Sequence, residues 1–399
     1  MKRQIVLAAV VAVAVTTPRA EQRSSDIDAL LRTAVEQKHV PMVVAMVADA
    51  KQIVYEHAIG VPQDAIFAVA SMTKPVTSVA AMQLVEAGRV KLDEPAATYV
   101  AELGSVRVLE GGALRAPKTP ITVRQLLTHT AGFAYEFMNS GIFGLVGKKE
   151  LPSMMGGDDA FLVAPLVFDP GTRWEYGIST DWLGRLVERV SGQTLDAFFR
   201  EKIFEPLEMS DSFFVVPADK RTRVVAPFVR SADGALTQQP PPPAAPVKFF
   251  SGGGGLFSTA PDYMKFIRAL LAGGELDGRR ILSADSVAAM GQNQIGDFSV
   301  RPISSLIPQF AVDKGIMPGS LEKFGLGFAL NTKATEAGRG ANTMSWAGIY
   351  NTFFWIDREK QVAAIFMTQM LPFLEPGAKK VIDDFDRAVY ATRMSRRAF

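Results

Sequence analysis

Ser71 and Lys74 stand three residues apart in Ser71-Met72-Thr73-Lys74, and that spacing offers chemistry. On a helix, side chains three apart leave from one face. An amine placed there can take the proton of the hydroxyl and leave a nucleophilic alkoxide. Four letters with two free positions also recur by chance, as an N-cap Ser followed by a solvated Lys in the first turn. The rest of the chain must decide between these. A Ser-His-Asp arrangement would have to use His39, His57 or His129, the chain's three histidines. His39 and His57 lie in patterned segments, and His129 lies in a Thr/Gly turn that suits a loop stabiliser. No Gly-x-Ser-x-Gly run occurs, so the nucleophile elbow of α/β-hydrolases is missing. With no Cys, a thiol nucleophile and a disulfide framework are both excluded. With three His, a His-rich metal site is not expected.

The elements that would position Ser71 follow from periodicity. An apolar run, 65–70, leads into it, and 72–86 carries a helical pattern with Val76, Val79, Ala80, Leu84 and Ala87 in phase. Pro75 falls in the first turn, where its missing N–H costs little, and Gly88 ends the helix. Upstream, Ser25–Glu36 is a helix candidate, with Ser25 and Asp28 resembling a capping box. Met42–Val47 and Gln52–His57 read as an antiparallel hairpin. Downstream, 134–160 looks like a long loop with short helices. A turn over 168–176 leads into a helix with Trp182, Leu186 and Val190 in phase, closed by Gly192. Another helix covers 195–203, and 217–250, with Pro240–Pro243, reads as an extended surface loop. Gly252–Gly255 lacks the Lys-Ser or Lys-Thr of a phosphate loop and reads as close backbone packing before a helix from Asp262. Phe324, Leu326, Phe328 and Leu330 alternate as a strand does. Segments 344–350, 352–356 and 361–368 form a meander, and a last helix carries Ala378, Val381, Ile382, Phe385, Ala388 and Val389 on one face.

Strands at both chain ends with helices between imply an α/β (α+β) fold. One antiparallel sheet is built from residues 21–66 and 250–399, with a helical lobe inserted over 67–249 and a cleft between them. Hydrophobic content of 48% supports a sizeable core, and a net charge of +2 gives no case for nucleic acid. Lys2, Arg3 and the apolar run Ile5–Val15 make Met1–Ala20 a secretory signal, since that run is too short to span a bilayer. Export is therefore expected, and no stable membrane span.

Four stretches together resemble the serine β-lactamase and penicillin-binding protein superfamily in its class C branch, and family VIII carboxylesterases and related acyltransferases more closely. They are Ser71–Pro75 with the helix through Asp93-Glu94-Pro95; Leu126–Gly132; Asp169-Pro170-Gly171 through Tyr176 to Gly192; and Gly252–Thr259. Their order and spacing span roughly residues 25–390. The resemblance implies a β-lactamase/DD-peptidase-like fold and makes Tyr176 the Tyr of the second motif, with Ile178 where lactamases carry Asn. It makes Trp346-Ala347-Gly348 the third motif, with Trp in place of Lys. It implies oxyanion donors at the backbone N–H groups of Ser71 and Ile349, substrate contacts at Trp346 and Gly348, and no metal or organic cofactor. Lys74 and Tyr176 then form the available base pair, and a phenol beside an ammonium can share its proton, so which is the formal base stays open. Loss of both the Lys and the Asn favours a neutral small-molecule ester over a lactam. Competing expectations are a lactamase, a D-Ala-D-Ala carboxypeptidase or an acyltransferase on the same residues, and a sensor domain that acylates without turnover. Arg173 and Arg339 are candidates to replace the missing cation.

Overall fold

The computed structural model describes residues 18–242, 247–313 and 315–391. Its centre is a seven-stranded antiparallel sheet. The main strands are β1 (Val43–Ala48), β2 (Ile53–Ile59), β3 (Met344–Gly348), β4 (Thr352–Asp357) and β5 (Val362–Met367). They lie in the order β3-β4-β5-β1-β2, and the short strands Lys323–Phe324 and Ala329–Leu330 extend the β3 side. The two chain ends meet where β1 pairs β5, with Val44 opposite Met367 and Ala48 opposite Ala363. β1, β4 and β5 are buried along their whole length. That is why they read as continuous apolar runs rather than alternation.

Five helices of twelve residues or more occur among the described residues: α1 (Pro18–Glu36), α2 (Thr73–Glu86), α3 (Ser179–Ser191), α4 (Ala260–Leu271) and α5 (Pro376–Ala391). Phe354 packs on Tyr263 of α4, and the next residue, Trp355, packs on Phe385 of α5. Successive strand residues point to opposite faces, so α4 and α5 cover opposite sides of the sheet. α1 lies beside α5, and α2 packs on α3. Trp346 is paired with Phe354 and Ser345 with Trp355. Trp346 therefore faces the α4 side, and Ser345 the α5 side.

Several sequence expectations need correction. Phe324–Leu330 is not one strand. Gly325 N donates to Phe328 O, closing a tight turn between two short strands, although all four alternating side chains are buried. The helix placed at Ser25 starts at Pro18, and Asp28, instead of capping, accepts from Tyr55 Oη at 2.8 Å. The surface loop over 217–250 contains a 3₁₀ turn, Ala218–Arg223, and strands Phe228–Arg230 and Leu236–Gln238, which form a small sheet with Met370–Leu371. The helix over 195–203 divides into α-helical Leu195–Phe199 and π-helical Arg200–Phe204. The basic start and apolar core of the expected secretory signal lie outside the described residues. Among those described, no helix is long and apolar enough to cross a membrane.

The Gly325–Phe328 turn presses the sheet edge onto α2. Gly327 has φ +96°, and a Cβ there would overlap Ser78 Oγ and Cβ. Gly327→Ala is expected to destabilise by about 1–3 kcal/mol, through overpacking added to a backbone conformation unfavourable to Ala. The check is a lower urea midpoint at unchanged m-value. A wild-type midpoint would show that this approach does not constrain the fold.

Candidate active site

Ser71 sits in a 3₁₀ turn, Ala70–Met72, immediately before α2. The chain enters through Ala70 at φ +45°, a left-handed conformation that costs a non-glycine residue energy and persists only where neighbours over-determine it. The neighbours are present. Val69 N donates to Leu256 O at 3.1 Å, Met72 N to Val69 O at 3.0 Å, and Tyr263 Oη of α4 to Met72 O at 2.7 Å. Thr73 Oγ1 donates to Ala70 O at 2.7 Å and accepts from Leu256 N at 3.1 Å. Leu256, just after the Gly run, and Tyr263 of α4 thus hold the turn from outside it. Ser71 itself is half-buried at its edge.

Lys74, one helical turn on, is 1% exposed. Its Nζ lies 3.2 Å from Ser71 Oγ, 2.7 Å from Tyr135 Oη and 2.6 Å from Gly253 O. These three contacts match the three hydrogens of an ammonium. The Ser–Lys pairing is therefore a direct contact, and the solvated-Lys alternative does not hold. Tyr176 stands differently. Lys74 Nζ sits over its ring, 4.8 Å from the centroid, and its hydroxyl is buried without a hydrogen-bond partner. The Tyr135 and Tyr176 rings meet edge-on at 5.1 Å. Their hydroxyls influence each other electrostatically without forming a hydrogen bond of normal geometry.

Tyr135 is the site residue that sequence reasoning missed, because it opens the segment read as a loop. A local signal existed at Gly177. A Cβ there would overlap Phe133 O and Ala134 Cα, so the glycine after Tyr176 is what lets the 133–135 backbone come close. The Gly run is the second omission. Packing does require it, since a Cβ at Gly252 would meet Thr180 O, but Gly253 also offers its carbonyl to Lys74.

An aromatic wall surrounds Tyr176. Trp346, His129 and Trp174 lie 5.1, 5.1 and 6.5 Å from it between ring centres, and Phe324 packs on all three. His129 is buried in this wall at φ +58°, and its Nε2 approaches Thr180 Oγ1 at 3.5 Å. Burial, and secondarily the charge of Lys74, push its pKa well down, so it is a neutral wall residue. Burial pushes Tyr135 well up, with Tyr176 and Asp181 adding to the effect, so its phenol is protonated at rest. Asp181 on α3 is fully buried and raised by burial, with Lys74 and its hydrogen bonds opposing.

Gly348 ends β3 against the Ser71 turn, where a Cβ would overlap Val69 O. Its absence of side chain serves the protein's own packing first, and Ile349 follows it, half-buried. Arg339 is on the other face of the sheet. Its guanidinium pairs with Asp386 of α5 at 3.0 Å and donates to Ser345 Oγ at 3.1 Å, so it cannot replace the third-motif cation. Arg173 lies over the Phe168 ring and 3.6 Å from Glu175.

The Beta-lactamase family model matches residues 27–387. Protein Rv1367c of Mycobacterium tuberculosis is 34% identical over 340 residues, covering 81% of this chain and 82% of its own. Lovastatin esterase of Penicillium rubens is 32% identical over 324 residues, covering 76% and 79%. Among solved structures, unliganded simvastatin synthase (LovD) from Aspergillus terreus is similar at a TM-score of 0.81 and 28% identity, covering 93% of this chain and 98% of that one.

Proposed function

The chain belongs to the Beta-lactamase family, as a member of its serine hydrolase and acyltransferase branch, and on that premise we propose that it is a carboxylesterase acting on short neutral acyl esters. The observation that carries this reading is the 3.2 Å contact between Ser71 Oγ and the buried Lys74 Nζ, set beside a third motif whose cation is replaced by Trp346. Ser71 Oγ attacks the ester carbonyl while its proton passes to the Lys74–tyrosine group. The carbonyl oxygen becomes an anion, held by the backbone N–H groups of Ser71 and Ile349. Collapse of the tetrahedral adduct breaks the ester C–O bond, and the departing alkoxide takes the proton back. Water then repeats the sequence on the acyl-enzyme, releasing the acid and restoring Ser71. Trp346 and Gly348 form the substrate-facing side of the strand. Export, suggested by Lys2, Arg3 and Ile5–Val15, would place this activity outside the cytoplasm.

Acyl transfer is the second reading, favoured by the relation to a synthase. It shares the acyl-enzyme and differs only in whether water or an alcohol accepts. The test is to incubate the protein with a p-nitrophenyl ester, with and without an added alcohol, and map the acylated peptide by mass spectrometry. Acylation at Ser71 with release of the free acid is expected. Ester product formed at the expense of acid would favour transfer, and equal labelling of Ser71→Ala would remove Ser71 as nucleophile.

A further inference from the structure

We propose that Asp181 is a positioning residue which, through the Gly253 peptide, aims Lys74 at Ser71 and holds the resting Lys74–Tyr135 pair one proton above its working form. This rests on Ser71 being the nucleophile, and goes beyond that reading by naming what governs the base.

Asp181 Oδ1 accepts from Ser251 Oγ at 2.6 Å and from Gly253 N at 3.0 Å. The carbonyl of the same glycine accepts from Lys74 Nζ at 2.6 Å. A Cβ at position 253 would overlap the Asp181 carboxylate, so the approach needs glycine. A buried carboxylate, one residue's backbone and a buried amine thus form a continuous chain in a low-dielectric interior, where such chains polarise one another. Gly253 O can only accept, so it fixes one Lys74 hydrogen and directs the remaining positions to Tyr135 and Ser71.

The charges then decide which form is at rest. Facing Lys74 are Ser71 from the 3₁₀ turn, Tyr135 and His129 from the 128–135 segment, Tyr176 ahead of α3, and Asp181 on α3. The imidazole is neutral and Tyr135 is protonated. Asp181, accepting from Ser251 Oγ and Gly253 N, is placed as a carboxylate, and Lys74, donating three hydrogen bonds, as an ammonium. An ammonium donating three hydrogen bonds has no lone pair to receive the Ser71 proton. The pair must release one proton to solvent before it can act, and the Asp181 charge opposes that release. Removing the charge makes it easier, so the acid limb of the rate profile must move to lower pH.

Asp181→Asn keeps the shape and an accepting oxygen but not the charge. The experiment measures the rate at which a fluorophosphonate labels Ser71, and kcat/KM for a p-nitrophenyl ester, across pH for wild type and variant. The acid limb is expected to fall by about one pH unit or more. Below the wild-type limb the variant then labels faster than wild type, while its plateau is lower because the base is weaker. A role confined to holding the fold would reduce the rate at every pH and leave the limb where it is, and that outcome overturns the proposal. Asp181→Ser, smaller and also uncharged, carries the same expectation should the Asn variant not fold. Wild type that fails to label at Ser71 at any pH would remove the nucleophile itself, whereas labelling with an unmoved limb removes only Asp181.

Discussion

Lys74→Ala is expected to lower kcat for a p-nitrophenyl ester by at least about 10²-fold, the lower end of what a positioned general base contributes. Lys74 meets both Ser71 Oγ and a phenol, so its removal breaks the proton path at its centre. The substitution leaves a buried Asp181 without its cation. Burial already raises that carboxyl, so it takes up a proton rather than stay charged and unpaired. The variant should then retain the wild-type circular dichroism spectrum. Tyr176→Phe is expected to lose at least about the same factor, and so is Tyr135→Phe, because Tyr135 holds the 2.7 Å bond to Lys74 while the Tyr176 hydroxyl is unpartnered at rest. Near-wild-type turnover in Tyr135→Phe would make its hydrogen bond structural and leave Tyr176 as the sole phenol in the path. The same result in Lys74→Ala would move the base elsewhere.

A short neutral p-nitrophenyl ester is expected to exceed a cephalosporin in kcat/KM by at least about two powers of ten. A lactam of that class carries a carboxylate, and the third-motif position offers Trp346, whose indole N–H is buried and unpartnered, instead of an ammonium. A charge-assisted hydrogen bond contributes roughly 1.5–3 kcal/mol, so its absence alone costs about one to two powers of ten. Desolvating an unpaired anion against the wall of Trp346, Tyr176, Trp174 and Phe324 adds to that. Of the two arginines that could have compensated, Arg339 is bound to Asp386 across the sheet, and Arg173 lies over the Phe168 ring, 3.6 Å from Glu175, with no hydrogen-bond partner at its Nε. Trp346→Lys should narrow the gap. Equal or faster cephalosporin turnover by the wild type would reverse the assignment toward a lactamase.

Much of this was legible in the sequence because the governing forces act over short separations. Ser71 and Lys74 share a helix face by the period of the helix alone. The runs of β1, β4 and β5, and the turns between them, carry enough apolar pattern to build the sheet from both chain ends. Tyr176 and the Trp346 motif were found through resemblance, since neither position signals function by its own type. The Phe324–Leu330 stretch misled because large apolar residues alternate there with Gly325, Gly327 and Ala329, and the two glycines were the sign of a turn. Tertiary structure decided which groups meet Lys74. Tyr135 reaches it across 61 residues and the Gly253 carbonyl across 179. A hydrogen bond between such distant segments leaves no periodicity to read, because it depends on how closely two backbones can approach. Here the absence of a Cβ at Gly177 lets the 133–135 backbone come close, and at Gly253 it admits the Asp181 carboxylate. The charge state of the site is set in the same way. Asp181 is one acidic residue on an amphipathic helix until folding removes its water and leaves it facing an amine.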